Sequence, residues 1–389
     1  MSTNRTRVGP IGGPAPALDV DALLDDPSTG IIVCCGSGGV GKTTTSAALA
    51  LRAAERGRKV VVLTIDPARR LAQSMGIEAL DNTPRPVKEV GGTGSLDAMM
   101  LDMKRTFDEV VLSQASPEKA KQILANPFYI ALSSSFAGTQ EYMAMEKLGQ
   151  IHRDKVLGDH TYDLIVVDTP PSRSALDFLD APERLSSFLD GKFVRLLLAP
   201  ARGPAKLMSA GFGLITGALN KILGAGFLSD LQTFVSALDT VFGGFRQRAQ
   251  QTYSLLQAHG TAFLVVAAPE PDALREAAYF VERLSEDRMP LAGLVVNRST
   301  PIPAGHLSAE EATAGADRID AADGDGTSAA AALLRMHADR MRMTVRESAL
   351  RDGFARAHPQ VRTVVVPALA GDVHDLDGLR EIGDLLAGA

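Results

Sequence analysis

Cysteine is nearly missing from this chain: Cys34 and Cys35 are the two it has, and they are adjacent. Neighbouring cysteines do not form an ordinary disulfide, and two residues cannot staple 389, so the expected compartment is a reducing one. With no CxxC pair, a four-thiolate zinc site shared between two subunits is excluded. An excess of basic charge is also lacking. Lys plus Arg is 40 against 46 for Asp plus Glu, a net charge of −6. A protein whose main work is coating nucleic acid or anionic lipid needs a cationic field, so neither is an expected partner, although a local basic patch stays open. Long apolar runs are missing too. No window supplies the ~18 contiguous apolar residues of a membrane span, and the first residues, MSTNRTRVGPIGGPAPALDV, have no signal-type apolar core. The expectation is a cytoplasmic protein without stable membrane insertion.

What is present is an ordinary globular composition. Hydrophobic residues make up 45% and charged residues 22%, which excludes disorder along the whole chain. At roughly 150 residues per domain the length suits two to three domains, or one large α/β unit with an insertion. Residues 1–29 are rich in Gly, Pro and Asp and read as a flexible arm with one short helical possibility at Leu18–Leu24. Continuous apolar runs of buried-strand type stand at Ile31–Cys35, Val60–Ile65, Leu164–Val167, Ala262–Ala267, Leu294–Val296 and Thr363–Val366. A helix is predicted from Lys42 to about Arg56, stopping at Gly57. Strands alternating with helices predict an α/β fold over residues 30–389, a mostly parallel doubly wound sheet with helices on both faces.

Two stretches, 96–150 and 183–258, carry long helical patterns without a convincing strand and read as an inserted helical subdomain. Within it, Leu207–Leu219 holds no charge, and Met99, Met100, Met103, Met143 and Met145 form a methionine-bearing stretch. These residues either fill the subdomain's own core or line an adaptable groove for a hydrophobic client. Residues 301–328 are acidic and rich in Ala and Gly, which predicts a surface loop or a partly disordered insertion.

The chemistry begins at GSGGVGKTT, Gly36–Thr44, directly after the first strand and opening the first helix. It satisfies G-x-x-x-x-G-K-[ST] through Gly36, Gly41, Lys42 and Thr43. Glycines let successive N–H groups curl toward phosphate oxygens, and the helix N-terminus adds positive potential. The loop Gly36, Gly38, Gly39, Val40, Gly41, Lys42, Thr43 and Thr44 is therefore the candidate phosphate cradle. Lys42 is placed to neutralise phosphate and Thr43 to ligate Mg²⁺. The same letters satisfy G-x-G-x-x-G through Gly36, Gly38 and Gly41, with Asp66 available to a ribose, as in an NAD-binding fold. The pair Lys42–Thr43, which a dinucleotide site does not need, argues against it. So does Asp168 in YDLIVVDTPP, an acid at the tip of an apolar strand where a carboxylate holds Mg²⁺ through water.

Five motifs in order, GSGGVGKTT, TIDPARRL, DTPPSRSALDFL, VVNR and VVPALAGDV, resemble the arsenite-pump ATPase family, which includes the ATPase that delivers tail-anchored membrane proteins. The resemblance runs from about residue 31 to 380. It implies a P-loop NTPase of the deviant Walker A class that binds Mg·ATP and works as a dimer with ATP at or near the interface. It implies that Asp66 orients the attacking water, where the residue alone also suits a helix N-cap. It implies that Asn297 reads adenine, where the residue alone also suits a strand-end turn, and that Pro367 and Ala368 cover the base. The chain departs from the pattern at three positions. Ser37 stands where the family's loop carries a lysine that reaches across the dimer, Arg173 where the family has Gly, and Arg69 where it often has His. Two arrangements meet the missing lysine: a mixed dimer in which a paralogous ATPase supplies it, or a homodimer in which Arg173 replaces the charge in cis. An arsenite site of the usual thiol type needs soft sulfur ligands, and Cys34 and Cys35 lie on a strand predicted to be buried.

Overall fold

Seven parallel strands lie side by side at the centre of the computed structural model, and an eighth, antiparallel one closes an edge. The structure describes residues 15–65, 70–127, 129–130, 133, 139–154, 156–157, 160–170, 244–301, 307–323 and 328–388. Along the chain the elements run α1 (Val20–Asp25), β1 (Ile31–Cys35), α2 (Lys42–Glu55), β2 (Lys59–Thr64), α3 (Arg70–Ser74), β3 (Arg85–Pro86), β4 (Ser95–Met100), α4 (Met103–Gln114) and α5 (Pro117–Leu124). Then come α6 (Thr139–Asp154), the short hairpin β5 (Val156–Leu157) and β6 (His160–Thr161), β7 (Leu164–Asp168), α7 (Phe245–Leu256), β8 (Thr261–Ala267) and α8 (Pro271–Glu286). The last are β9 (Leu291–Ser299), α9 (Ala309–Asp323), α10 (Ala329–Ala357), β10 (Thr363–Pro367) and α11 (Leu376–Ala387). In the sheet the order is β10-β9-β8-β1-β7-β2-β4-β3.

Each predicted strand is present, and in the central ones the reason is that a strand buried on both faces must be apolar at every position. β1 and β7 have no exposed residue, and neither does β8. α2 lies against β1, β2, β4 and β7 through Ala47, Ala48, Ala50, Ala53 and Ala54, all buried, whose small side chains bring the helix close to the sheet. It ends where predicted, at Gly57, whose φ is +102°. β1 is central, so the loop that leaves its carboxyl end emerges between β7 and β8.

Three expectations need correction. SLDAMM, in the stretch read as helical, is strand β4, paired with β2 along its full length. Its Asp97 breaks the apolar run but is buried, where it accepts from Tyr162 Oη at 2.5 Å. The loop predicted at 301–328 contains helix α9, packed against α10 through Ala309, Ala312, Ala338, Leu334 and Met341. A reciprocal cap starts it: Glu311 N donates to Ser308 Oγ at 3.1 Å and Ser308 N to Glu311 Oε2 at 2.9 Å. The arm is docked from residue 15 onward. Leu18, Val20 and Leu24 are buried, Ala17 bridges Thr363 in parallel, and Arg52 grips Asp21 with two hydrogen bonds of 2.6 and 2.9 Å.

Of the methionine stretch, Met99, Met143 and Met145 are buried, so they fill the core; Met100 and Met103 are half-buried. Leu207–Leu219 lies outside the described residues. No described helix is long and apolar enough to cross a membrane.

Candidate nucleotide site

The turn from β1 into α2 is built so tightly that two of its glycines admit no side chain. A Cβ on Gly36, at φ +150°, would stand 2.1 Å from the Val266 carbonyl oxygen of β8. One on Gly41, at φ +95°, would stand 2.2 Å from Asn297 Nδ2. The loop is thus pressed against its neighbours, with Gly38 and Gly39 exposed at its crest and Val40 buried beneath.

Two hydroxyls converge on one carboxylate oxygen at the end of the sheet. Thr43 Oγ1, in the first turn of α2, donates to Asp168 Oδ2 at 2.8 Å, and Thr64 Oγ1, at the end of β2, donates to the same oxygen at 2.9 Å. Asp168 is fully buried at the tip of β7, and Thr169 beside it donates to the Cys34 carbonyl at 2.8 Å. Lys42 is buried at 5% exposure with its Nζ donating to the Ser37 carbonyl at 2.8 Å, so its charge lies under the loop. From β9, Asn297 Nδ2 donates to the Val40 carbonyl at 2.9 Å and Arg298 Nη1 to the Gly39 carbonyl at 2.8 Å. Pro367 and Ala368 are half-buried at the end of β10, where Ala368 N donates to the Ser299 carbonyl at 2.8 Å. The loop, Asp168, Asn297 and Pro367–Ala368 therefore share the carboxyl end of one sheet, where open α/β sheets take ligands. Asp66, Arg69 and Arg173 lie outside the described residues.

The thiols are close to this site but closed to it. Cys34 and Cys35 are both wholly buried. Burial pushes the Cys34 thiol up to about 12, and raises that of Cys35 further. Neither offers a thiolate to a soft ligand.

The described geometry fits a magnesium nucleotide. A hydroxyl and a carboxylate 2.8 Å apart are hard oxygen donors, and positive φ at Gly36, Gly39 and Gly41 gives the loop the curl of a phosphate-binding turn. Among the described residues no group of three or more His, Cys, Asp or Glu stands ready to cage a metal. Magnesium commonly binds with one or two protein ligands, substrate phosphates and water.

The family model for anion-transporting ATPases matches residues 29–309, well over half of the chain. The chain belongs to this family. It is similar to the ATPase GET3 of Podospora anserina, 27% identical over 282 residues, 72% of this chain and 76% of that protein. It is 32% identical to the ATPase GET3 of Malassezia globosa over 167 residues, 43% of this chain and 46% of that relative. The arsenical pump-driving ATPase of Acidiphilium multivorum is 30% identical over 157 residues, 40% of this chain and 26% of that protein. The arsenite-pump resemblance read from the motifs is thus the family found, and the α/β P-loop fold of an ATPase is the fold found. The family match ends at the start of α9, so most of the α9–α10 pair falls beyond it.

One residue of this ATPase carried no role in the motif reading and stands at the site all the same. Arg298 was visible as the last letter of VVNR, but nothing in that pattern says that its side chain turns to the loop.

Proposed function

We propose that this ATPase binds Mg·ATP at Gly36–Thr44 and works as a dimer, its nucleotide state setting the shape of a helical surface that holds a hydrophobic client or partner protein. The contact between Thr43 and Asp168 at 2.8 Å carries the nucleotide part of this reading. In it, amides from Gly36 to Thr44 receive the phosphates, and Lys42 leaves the Ser37 carbonyl to neutralise them. Thr43 and Asp168 hold magnesium, Asp168 through water. Bound magnesium would offset charge on the phosphoryl group being transferred. Asp66 orients the attacking water. Asn297 has committed an Nδ2 hydrogen to Val40, so its Oδ1 is the atom suited to accept from the amine of adenine. Pro367 and Ala368 cover the base. The client part rests on the charge-free segment Leu207–Leu219. A thiol-held arsenical is disfavoured, since both cysteines are buried on β1.

Lys42→Ala tests the site. Without the ammonium, the dissociation constant of Mg·ATP rises about 100-fold in calorimetry. ATP-dependent binding of a hydrophobic dye, present in the parent protein, disappears with it. Unchanged affinity in the variant removes the loop assignment; unchanged dye binding on adding ATP to the parent removes the client surface.

Ser37 favours a second reading, in which this chain is a weakly hydrolysing subunit of a mixed dimer with a paralogous ATPase. Slow turnover by the purified chain, raised by adding the paralogue, is expected there. Fast turnover alone, lost in Arg173→Ala, selects the homodimer.

A further inference from the structure

A single seam runs along α10, and the body of the protein covers only its second half. Leu333, Met336, Arg340 and Met343, then Glu347, Leu350 and Phe354, follow one another at alternating steps of three and four residues, so they share one face of the helix. The last three are docked. Phe354 is buried and Leu350 packs against the main core. Glu347 is buried too, and accepts from Thr300 N at 2.9 Å and from Thr300 Oγ1 at 2.6 Å. Thr300 follows β9 just past the point where that strand outruns β10 by one residue, between the pairs Val296–Val365 and Ser299–Pro367. The first four are open to solvent. Leu333 is 65% exposed, Met336 56% and Met343 54%, with Arg340 exposed between them. α9 leaves them open because it packs on another face of α10, through Leu334, Ala338 and Met341. A helix pinned at its far end and braced by α9 presents the open half already ordered, which lowers the cost of docking on it.

We infer that Leu333–Met343 is the docking seam for an amphipathic helix of a partner protein, apolar at the same alternating spacing and flanked by carboxylates. This surface is separate in sequence from the client segment Leu207–Leu219 and does not depend on the Mg·ATP reading. The spacing asks for a helix, since steps of three and four are how one helix receives the side chains of another. From Leu333 to Met343 the seam runs about 15 Å, three turns of such a helix. The charge asks for acids. α10 carries six arginines against three acids, in a chain whose net charge is −6. Arg335 is taken by Asp317 and Asp320, and Arg342 by Asp339. Arg340 in the seam and Arg346 on its flank are exposed, with no carboxylate partner among the described residues. A second copy on the same seam would close two Arg340 guanidinia into one contact, with Asp339 already held by Arg342, and charges desolvated without partners are costly. An anionic lipid surface is broad and would reach α9 as well, where five acids stand against one arginine. A single acidic helix meets the arginines and stays clear of α9.

The test titrates the full chain into two labelled synthetic peptides, each about three heptads long with Leu at the seam positions, one flanked by Glu and the other by Lys. The Glu peptide binds about ten-fold tighter than the Lys peptide. Arg340→Glu reverses that preference. Leu333→Ser combined with Met336→Ser weakens the Glu peptide about ten-fold. The melting temperature does not move in either variant, because the side chains concerned are exposed. Equal affinity for the two peptides, or binding of neither at about 100 µM, overturns the inference. So does a preference for phosphatidylcholine vesicles containing phosphatidylserine over the Glu peptide, which would make the seam a lipid contact. A dimer that Leu333→Ser dissociates in sedimentation would give the seam to a second copy, and a lowered melting temperature in that variant would give it to this chain itself. Either result overturns the inference as well.

Discussion

Asp168→Asn is expected to lower ATP turnover by about 1,000-fold while leaving the fold at least as stable, a combination that marks a residue kept for chemistry. The carboxylate is fully buried and receives the hydroxyls of Thr43 and Thr64 on one oxygen, at 2.8 and 2.9 Å. An asparagine fills the same space and still presents a carbonyl oxygen to those hydroxyls. What it removes is a full negative charge, which is costly to bury but is what a magnesium shell requires on this side. Steady-state turnover at saturating Mg·ATP, beside a thermal melt, measures both halves. Turnover within ten-fold of the parent would take Asp168 out of the metal site.

Gly36→Ala is expected to be the most damaging change in stability, on the order of 4 kcal/mol or more. The new methyl would meet the Val266 carbonyl oxygen at 2.1 Å. That oxygen belongs to the backbone of β8, a strand held by β1 on one side and β9 on the other, so no side chain can rotate away. Gly39→Ala is the matched control. Gly39 also has positive φ, +79°, but a Cβ there meets nothing within 4 Å, so only left-handed strain of about 1 kcal/mol remains. Chemical denaturation of both variants checks the contrast. Equal losses would mean that strain, and not the carbonyl, sets the requirement for glycine at Gly36.

The site was legible in the sequence to the extent that backbone conformation is written in residue type. Glycines, Lys42 and Thr43 announce a phosphate loop because few other residues allow its curl and its charge. The apolar runs announce β1, β7 and β8 because burial on both faces leaves no choice. β4 was hidden by Asp97, whose burial depends on Tyr162, 65 positions away in the chain. α9 was hidden by a composition that suits a loop, although the pair Ser308 and Glu311 is a helix-start signal that could have found it. The contact of Arg298 with the loop was out of reach. It arises from a mismatch in length between two strands, which no single stretch of sequence records.

Both margins of the sheet carry a device that discourages further strands. On one side β3 is two residues long, and one of them is Pro86, which has no N–H to offer. On the other, the segment around Ala17 lies along the start of β10, with Thr363 N donating to the Pro16 carbonyl and Leu18 N to the Thr363 carbonyl. The β3 margin offers a neighbouring chain little backbone to join, and at the other the start of β10 is already taken, so strand-to-strand growth is discouraged at each end. Such margins favour meeting of two copies through side chains and loops. Such a contact can be made and released with the cycle of a bound ligand, whereas a sheet continued across two chains could not be parted so cheaply.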